Sequence, residues 1–162
     1  LDDEKELILM RIQRRVDERI PLPYITNEAF LQGYSFYVDK RVIIPRSFIA
    51  EIILNDHLTP WIEHPELVNC ALDLCTGNGS LATIMADYFY DAEIVASDIS
   101  DDALDVAKIN FERNKVNEDI TLLKSDLFAG LVGYQGQFDL IVTNPPYVDK
   151  RRMDSLDRKS VV

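Results

Sequence analysis

The sequence predicts an α/β fold built on a parallel sheet, and two features support this. From residue 69 onward, short apolar runs alternate with segments of helical length. Strands that alternate with helices are typical of a parallel sheet covered on both faces. A glycine-rich turn, TGNG at 76–79, also follows the first apolar run and precedes the first helical segment. A helix and a β-hairpin are predicted before this alternation begins.

Three segments come before the alternating part. Residues 4–20 place an isoleucine or valine at every fourth position from 8 onward, which predicts an amphipathic helix. The prolines of PLP at 21–23 end it. Residues 28–44 alternate aromatic and β-branched side chains, which predicts a β-hairpin with its turn at Asp39–Lys40. Residues 45–62 contain a second helix.

The alternating part contains four strands and two helices. The predicted strands are 69–74, 92–98, 120–126 and 138–144, and the predicted helices are 80–89 and 101–115. Asp101 or Asp102 suits the N-terminus of the second helix. A parallel crossover would place the fourth strand beside the first.

Composition and charge limit the classes of function. The 162 residues are 47% hydrophobic and 28% charged, as expected for one soluble domain. No apolar run approaches the roughly 20 residues that span a bilayer, and the acidic start is unlike a signal peptide, so a cytoplasmic location is expected. Residues 51–150 hold 18 acidic and 5 basic residues, a net charge of −13. This charge disfavours direct nucleic-acid binding and suits a basic protein partner, or serves solubility alone.

Metal chemistry is not predicted. Cys70 and Cys75 lack the spacing of a metal-binding pair, and His57 and His64 are distant in sequence. Both thiols are expected to be reduced, with Cys70 in the core.

The glycine-rich turn predicts a nucleotide-type crevice at the carboxyl end of a strand. The strand ends at Leu74 and a helix begins near Gly79. Gly77 and Gly79 allow a sharp turn and close approach of a ligand to the backbone, and the helix N-terminus offers free N–H groups.

Two ligand classes suit this turn. Gly77, Gly79 and Ala82 satisfy the dinucleotide pattern G-x-G-x-x-A, and Asp98, about 20 residues on, would hold ribose hydroxyls. Asp73, however, lies where a pyrophosphate would sit, and its carboxylate suits the cationic groups of S-adenosylmethionine instead. A plain glycine turn with a capping aspartate is a third possibility.

The ends of the second and third strands supply candidate adenine contacts. Ile99 could pack on the adenine ring, and Asp126 could accept a hydrogen bond from its amino group with Leu127 alongside. A surface aspartate at a strand end and a simple Ser-Asp turn are the alternatives.

The fourth strand runs into NPPY at 144–147. Pro145 and Pro146 remove N–H donors and fix φ, and Pro145 keeps Asn144 extended. Two acceptors are left, the Asn144 side-chain oxygen and the Pro145 carbonyl, and they suit a planar –NH2 on which Tyr147 can stack. Holding both N–H bonds favours a pyramidal nitrogen whose lone pair can attack a methyl carbon without a metal or a nucleophilic side chain. A strand-ending turn is the alternative.

Together these motifs resemble the class I S-adenosylmethionine-dependent methyltransferases, and more narrowly the HemK/Prm family. That family methylates glutamine side chains in proteins of the translation machinery. The resemblance is carried by RRVDERIPLPYIT at 14–26, GYSFYVDKRVIIPRS at 33–47 and TNPPYVD at 143–149. PRSFIAE and CTGNG are similar to the branch acting on the third large-subunit ribosomal protein, although Phe48 stands where that branch often has proline. Release-factor enzymes usually carry PRPETE and GTGSG.

The resemblance implies roles for several residues and a domain organisation. It implies a Rossmann-like sheet of which only the first four strands are present. The implied cofactor contacts are Cys75, Thr76, Gly77, Asn78, Gly79, Asp98 and Asn144, and residues 144–147 are implied to hold the glutamine amide of a protein substrate. Residues 1–24 are interpreted as the last helix of a truncated helical domain, 25–46 as the hairpin linker and 47–156 as a partial cofactor-binding domain. Residues 157–162 are interpreted as a non-native tail.

Three other functions stay open from the sequence. They are glutamine methylation of a release factor, methylation of an amino group in DNA or RNA, which can share NPPY, and NAD-dependent or non-catalytic nucleotide binding.

Overall fold

The fold is known from a computed structural model that describes residues 2–55, 57–58 and 61–145. Its strands are β1 Ala29–Leu31, β2 Tyr34–Phe36, β3 Cys70–Leu74, β4 Glu93–Asp98, β5 Ile120–Lys124 and β6 Leu140–Thr143. Its α-helices are α1 Asp2–Asp17, α2 Leu22–Thr26, α3 Phe48–Leu54, α4 Ser80–Tyr88 and α5 Asp101–Asn114. The predicted alternation of strands and helices from residue 69 onward is confirmed.

The larger sheet is parallel, with strand order β5-β4-β3-β6. The fourth predicted strand therefore lies beside the glycine-loop strand, as the crossover argument expects. In the register of this pair, Leu74 lies opposite Thr143. The residue after each strand, Cys75 on one and Asn144 on the other, consequently emerges at the same edge of the sheet.

The two faces of this sheet are covered differently. Ala71, Ile94 and Val142 point towards α3, α4 and α5 and form the main core. Leu72 and Val95, on the other face, pack against the segment 131–138. Among the described residues, that segment contains one short 3-10 turn, Val132–Tyr134, and no α-helix.

Both faces of the sheet are therefore covered, as expected, but in the described part of the chain α-helices pack on only one of them. The steps from β3 to β4 and from β4 to β5 run in one direction across the sheet. Right-handed crossovers then place α4 and α5 on the same face. Only the return from β5 to β6 crosses the other face, and that connection has no amphipathic run of helical length.

The hairpin forms, but the predicted position of its turn is wrong. The turn lies at Gln32–Gly33, where φ is 50° and 87°, as in the type I′ turns that join short antiparallel strands. Asp39 instead accepts hydrogen bonds from the Arg41 backbone and guanidinium. Glycine tolerates the left-handed conformation that such a turn needs, whereas Asp39 and Lys40 have no glycine beside them.

The N-terminal helix is confirmed as α1, and it ends before the first proline of PLP. Its main neighbour is α2, and none of its residues is buried. No helix in the described ranges is both long enough and apolar enough to cross a bilayer.

Candidate active site

The glycine loop leaves β3 through three residues of positive φ. These are Cys75 at 64°, Gly77 at 57° and Gly79 at 80°. A Cβ added to Gly77 would meet no atom within 4 Å, whereas one added to Gly79 would lie 2.6 Å from Cε1 of Phe111. Gly79 therefore allows α5 to pack against the loop, and Gly77 leaves open space in which a ligand can approach the backbone.

Asp73 lies buried beneath this loop. Its Oδ2 accepts hydrogen bonds from the Thr76 hydroxyl at 2.6 Å and from the Ala82 N–H at 3.0 Å. Its Oδ1 is buried without a hydrogen-bond partner in the described structure. Burial raises the pKa of Asp73 to about 6. The two hydrogen bonds lower this pKa, and the negative charge of Asp98 raises it further. Asp73 thus ties the loop to the start of α4 while keeping one carboxylate oxygen unpaired.

The end of β4 holds the outer side of the loop. Asp98 Oδ2 accepts from the Gly77 N–H at 2.9 Å, and its Oδ1 accepts from the Ser100 N–H at 3.0 Å. The Ser97 carbonyl accepts from the Thr76 N–H at 2.9 Å. The predicted ribose-binding carboxylate is therefore within hydrogen-bond reach of the loop backbone, and a carboxylate has lone pairs for further donors.

The predicted adenine contacts lie at the same edge of the sheet. The Ser125 N–H donates to the Asp98 carbonyl at 3.0 Å, which joins the ends of β4 and β5. Ile99 and Leu127 are exposed large apolar side chains just beyond these strand ends, and Asp126 is also exposed. Two exposed apolar side chains beside carboxylates suit a ligand with a flat apolar ring and polar groups.

The NPPY motif begins beside the loop. The Thr143 hydroxyl donates to the Leu74 carbonyl at 2.8 Å, which fastens the end of β6 to the end of β3. Asn144 and Pro145 follow and are exposed. Pro146 and Tyr147 lie outside the described residues.

Several residues that shape the site escape sequence reasoning. Thr143 and Ser125 join strand ends, and the Ser125 hydroxyl accepts from the Gly130 N–H at 2.8 Å. Asn110 is buried and donates to the Asn78 carbonyl at 2.8 Å. The signal for Asn110 was available, since it is an uncharged polar residue on the apolar stripe of α5.

The cysteines show no sign of nucleophilic activation. Both thiols are free, and Cys70 is buried as expected. Burial raises the pKa of each thiol, with further increases from nearby carboxylates. Within the described residues, no group of three or more His, Cys, Asp and Glu side chains could hold a metal ion.

Comparison with known proteins gives the family. A family model described as the methyltransferase small domain matches residues 54–158. The chain belongs to the methyltransferase small domain family. Every candidate residue from Asp73 to Tyr147 lies within the matched range.

This methyltransferase domain has close curated relatives. It is 53% identical over 156 residues to the ribosomal protein uL3 glutamine methyltransferase of Neisseria gonorrhoeae, covering 96% of this chain and 51% of that protein. It is 46% identical over 159 residues to the protein of the same name from Burkholderia pseudomallei, covering 95% of this chain and 52% of that protein. These relatives confirm the resemblance to the branch acting on the third large-subunit ribosomal protein. The chain spans about half the length of the curated relatives it matches.

Solved structures confirm the fold. The T. thermophilus 16S rRNA methyltransferase RsmC, in complex with AdoMet and guanosine, has a TM-score of 0.58 at 25% identity, covering 76% of this chain and 33% of that one. The N-terminal domain of human METTL16, in complex with SAH, has a TM-score of 0.55 at 18% identity, covering 73% of this chain and 48% of that one. The methyltransferase domain therefore has the Rossmann-like class I methyltransferase fold.

Proposed function

We propose that this chain is part of an enzyme that transfers a methyl group from S-adenosylmethionine to the side-chain amide nitrogen of a glutamine in a ribosomal protein. The register of β3 and β6 carries the proposal, because Leu74 pairs with Thr143 and the residues that follow them, Cys75 and Asn144, continue from neighbouring strand ends. It brings an acceptor suited to an amide next to a loop suited to a nucleoside. The names of the curated relatives support the substrate.

The loop residues suit the proposed cofactor. The open space at Gly77 and the unpaired Asp73 Oδ1 offer room and charge for a cationic amino-acid portion. Asp98 would hold the ribose hydroxyls, while Ile99, Asp126 and Leu127 would surround the adenine. When bound, S-adenosylmethionine supplies a sulfonium methyl that accepts the nitrogen lone pair, which leaves a neutral thioether while the nitrogen loses one proton to solvent.

The strand end would prepare the amide for this reaction. The Asn144 side-chain oxygen and the Pro145 carbonyl would accept the two N–H bonds of the glutamine –NH2. Rigid acceptors act most strongly where charge develops, because they need no reorganisation during the reaction. Pro146 and Tyr147 would complete this clamp, with the Tyr147 ring against the amide plane.

The charge of the chain supports a basic protein substrate. Residues 51–150 carry a net charge of −13, from 5 basic and 18 acidic residues, which would steer a basic partner towards the site and repel nucleic-acid phosphates. A ribosomal substrate also implies a cytoplasmic enzyme. We further propose that residues 25–46 act as a linker between an N-terminal helical part and the cofactor-binding part, 47–156.

The cofactor is tested first on this chain by isothermal titration with S-adenosylmethionine and, separately, with NAD. We expect binding of S-adenosylmethionine only, with an affinity that Asp98→Ala lowers and that Asp119→Ala does not change, because Asp119 is exposed and lies at the amino end of β5, opposite the candidate site. Preferential binding of NAD would refute the proposal.

The substrate is tested with the complete gene product that contains this chain. It is incubated with S-adenosylmethionine and unmethylated uL3, release factor or ribosomal RNA, and the products are analysed by mass spectrometry. One methyl on a uL3 glutamine supports the proposal. A methyl on the release factor keeps the chemistry and changes the partner, whereas a methyl on RNA alone overturns the amide assignment.

A further inference from the structure

Asn110 occupies an unusual position in the middle of α5. Its side chain is fully buried, on a stripe otherwise formed by residues such as Ala103, Val106 and Ala107. A buried amide costs free energy unless its donors and acceptor find partners. The hydrogen bonds of the Asn110 amide therefore explain how a polar side chain can be buried in α5.

The Asn110 amide joins two segments that are distant in sequence. Its Nδ2 donates to the Asn78 carbonyl in the glycine loop at 2.8 Å and to the Tyr37 carbonyl after the hairpin at 3.0 Å. Its Oδ1 accepts from the Tyr37 N–H at 2.6 Å. The same side chain thus fixes the backbone of Tyr37 in both directions and holds the loop with its remaining donor.

Asn114, one turn further along α5, provides a comparison. Its Nδ2 donates to the Ser35 carbonyl at 3.1 Å and to the Asn110 carbonyl at 2.9 Å. Asn114 therefore binds the hairpin from the same helix, but within the described residues its side-chain amide donates no hydrogen bond to the glycine loop. Asn110 therefore binds both the segment after the hairpin and the glycine loop, whereas the hydrogen bond of Asn114 to Ser35 attaches the hairpin alone.

We propose that Asn110 is a positioning residue that couples the segment Ser35–Val38 to the glycine loop. A ligand that orders the loop must then also order this segment, and displacement of the segment must weaken ligand binding, because coupling between two sites is reciprocal. The identity of the ligand, S-adenosylmethionine, rests on the proposed function. The coupling itself rests only on the hydrogen bonds of Asn110.

Hydrogen–deuterium exchange of the chain without ligand tests the coupling directly. We compare wild type with Asn110→Ala and Asn114→Ala, both of which place a good helix former in α5. Asn110→Ala should speed exchange in residues 76–80 and in 35–38, whereas Asn114→Ala should speed it only near Ser35. Equal exchange of residues 76–80 in the two variants would overturn the inference. Asn110→Ser, which keeps one short hydroxyl donor, replaces the alanine variant if that variant does not fold.

A second readout uses S-adenosylmethionine. We expect the dissociation constant to rise about tenfold in Asn110→Ala and to stay within about twofold of wild type in Asn114→Ala, since only the first loses a buried hydrogen bond to the loop. Added ligand should slow exchange in residues 35–38 of wild type but not of Asn110→Ala. Equal affinities of the two variants would contradict the inference. A wild-type chain that binds no S-adenosylmethionine would count against the proposed function, while the ligand-free exchange still decides the role of Asn110.

Discussion

Asp73 carries a carboxyl group that is buried beneath the glycine loop, and its pKa is raised from 3.8 to about 6, chiefly by that burial. The folded state therefore holds this proton more tightly than the unfolded state. The resulting contribution to stability is fully present below about pH 4 and is lost as pH rises through about 6, a change of about 3 kcal/mol. Asp73→Asn should remove this dependence.

The measurement is the free energy of unfolding in urea at several values between pH 4 and pH 7. We expect the difference between wild type and Asp73→Asn to shift in favour of the variant as pH rises. Carboxyl groups with lowered pKa, such as Asp39 at about 2, are common to both proteins and cancel in the difference. The control Asp126→Asn, at an exposed position, should show the same pH dependence as wild type. A stability curve of Asp73→Asn that also runs parallel to wild type would disprove the assignment to Asp73.

Gly77 and Gly79 both have positive φ but differ in their surroundings. A Cβ at Gly79 would lie 2.6 Å from Phe111 Cε1, and one at Gly77 would meet nothing within 4 Å. Gly79→Ala should cost about 2–4 kcal/mol of unfolding free energy, from strain and overpacking together, and Gly77→Ala about 1 kcal/mol from backbone strain alone. Thermal and urea denaturation measure both, with Gly133→Ala, which has open space and ordinary φ, as the control.

Equal costs at the two glycines would contradict the contact with Phe111. Gly77→Ala is also expected to weaken S-adenosylmethionine binding more than its small effect on stability suggests, because its new methyl group would project into the open space proposed for the ligand.

At the scale of elements, the hairpin offers a test of its turn. Gln32 has a φ of 50°, a conformation that asparagine adopts more readily than glutamine, and Asn-Gly is the preferred type I′ sequence. Gln32→Asn should raise the free energy of unfolding by about 0.5–1 kcal/mol. Lys40→Asn, at the position where the sequence placed the turn, should change it by less than about 0.5 kcal/mol. If Lys40→Asn raised the free energy of unfolding and Gln32→Asn did not, the turn of the hairpin would not lie at Gln32–Gly33.

The elements that sequence reasoning predicts well are those defined by local patterns. The β3 strand, the glycine turn and α4 follow one another as an apolar run, Gly77 and Gly79, and a helical segment, so all the information lies within about 20 residues. The turn at Gln32 was missed because the alternating aromatic residues continue on both sides of it and Gln32 is not a typical turn residue. The segment over the second sheet face was missed because its burial depends on strand order rather than on its own pattern.

The candidate site divides in the same way. The position of Asp98 beside the glycine loop could be predicted from its sequence distance to Gly77, because that distance reflects one strand–helix–strand repeat. The apolar stripe of α5 marks Asn110 as unusual, but its hydrogen-bond partners could not be predicted, because Tyr37 lies 73 residues away and no local motif marks such a pair. Contacts of this kind become visible only when tertiary packing brings α5 between the hairpin and the glycine loop.

At the scale of the whole molecule, apolar surface is concentrated on α1. Its exposed large apolar side chains are Leu7, Ile8, Leu9, Met10, Ile12 and Val16. Scattered exposed apolar residues are ordinary in soluble proteins, but six of them on one helix provide a surface for association. The strand β6, at the edge of the described sheet, has one exposed large apolar side chain, Ile141, whereas α1 has six. We therefore expect α1 rather than the sheet edge to dominate association of the chain.

We therefore expect the isolated chain to associate with increasing concentration, and the double substitution Leu9→Glu/Val16→Glu to reduce this association. The two residues are 66% and 65% exposed and lie two turns apart on the same side of α1. Phe48→Glu is the matched control, because Phe48 is 82% exposed but belongs to α3. Sedimentation velocity over a hundredfold range of concentration measures the effect. If Phe48→Glu or Ile141→Lys abolishes association and the α1 variant does not, contacts through α3 or β6 would outweigh those of α1, and the argument from apolar area would fail.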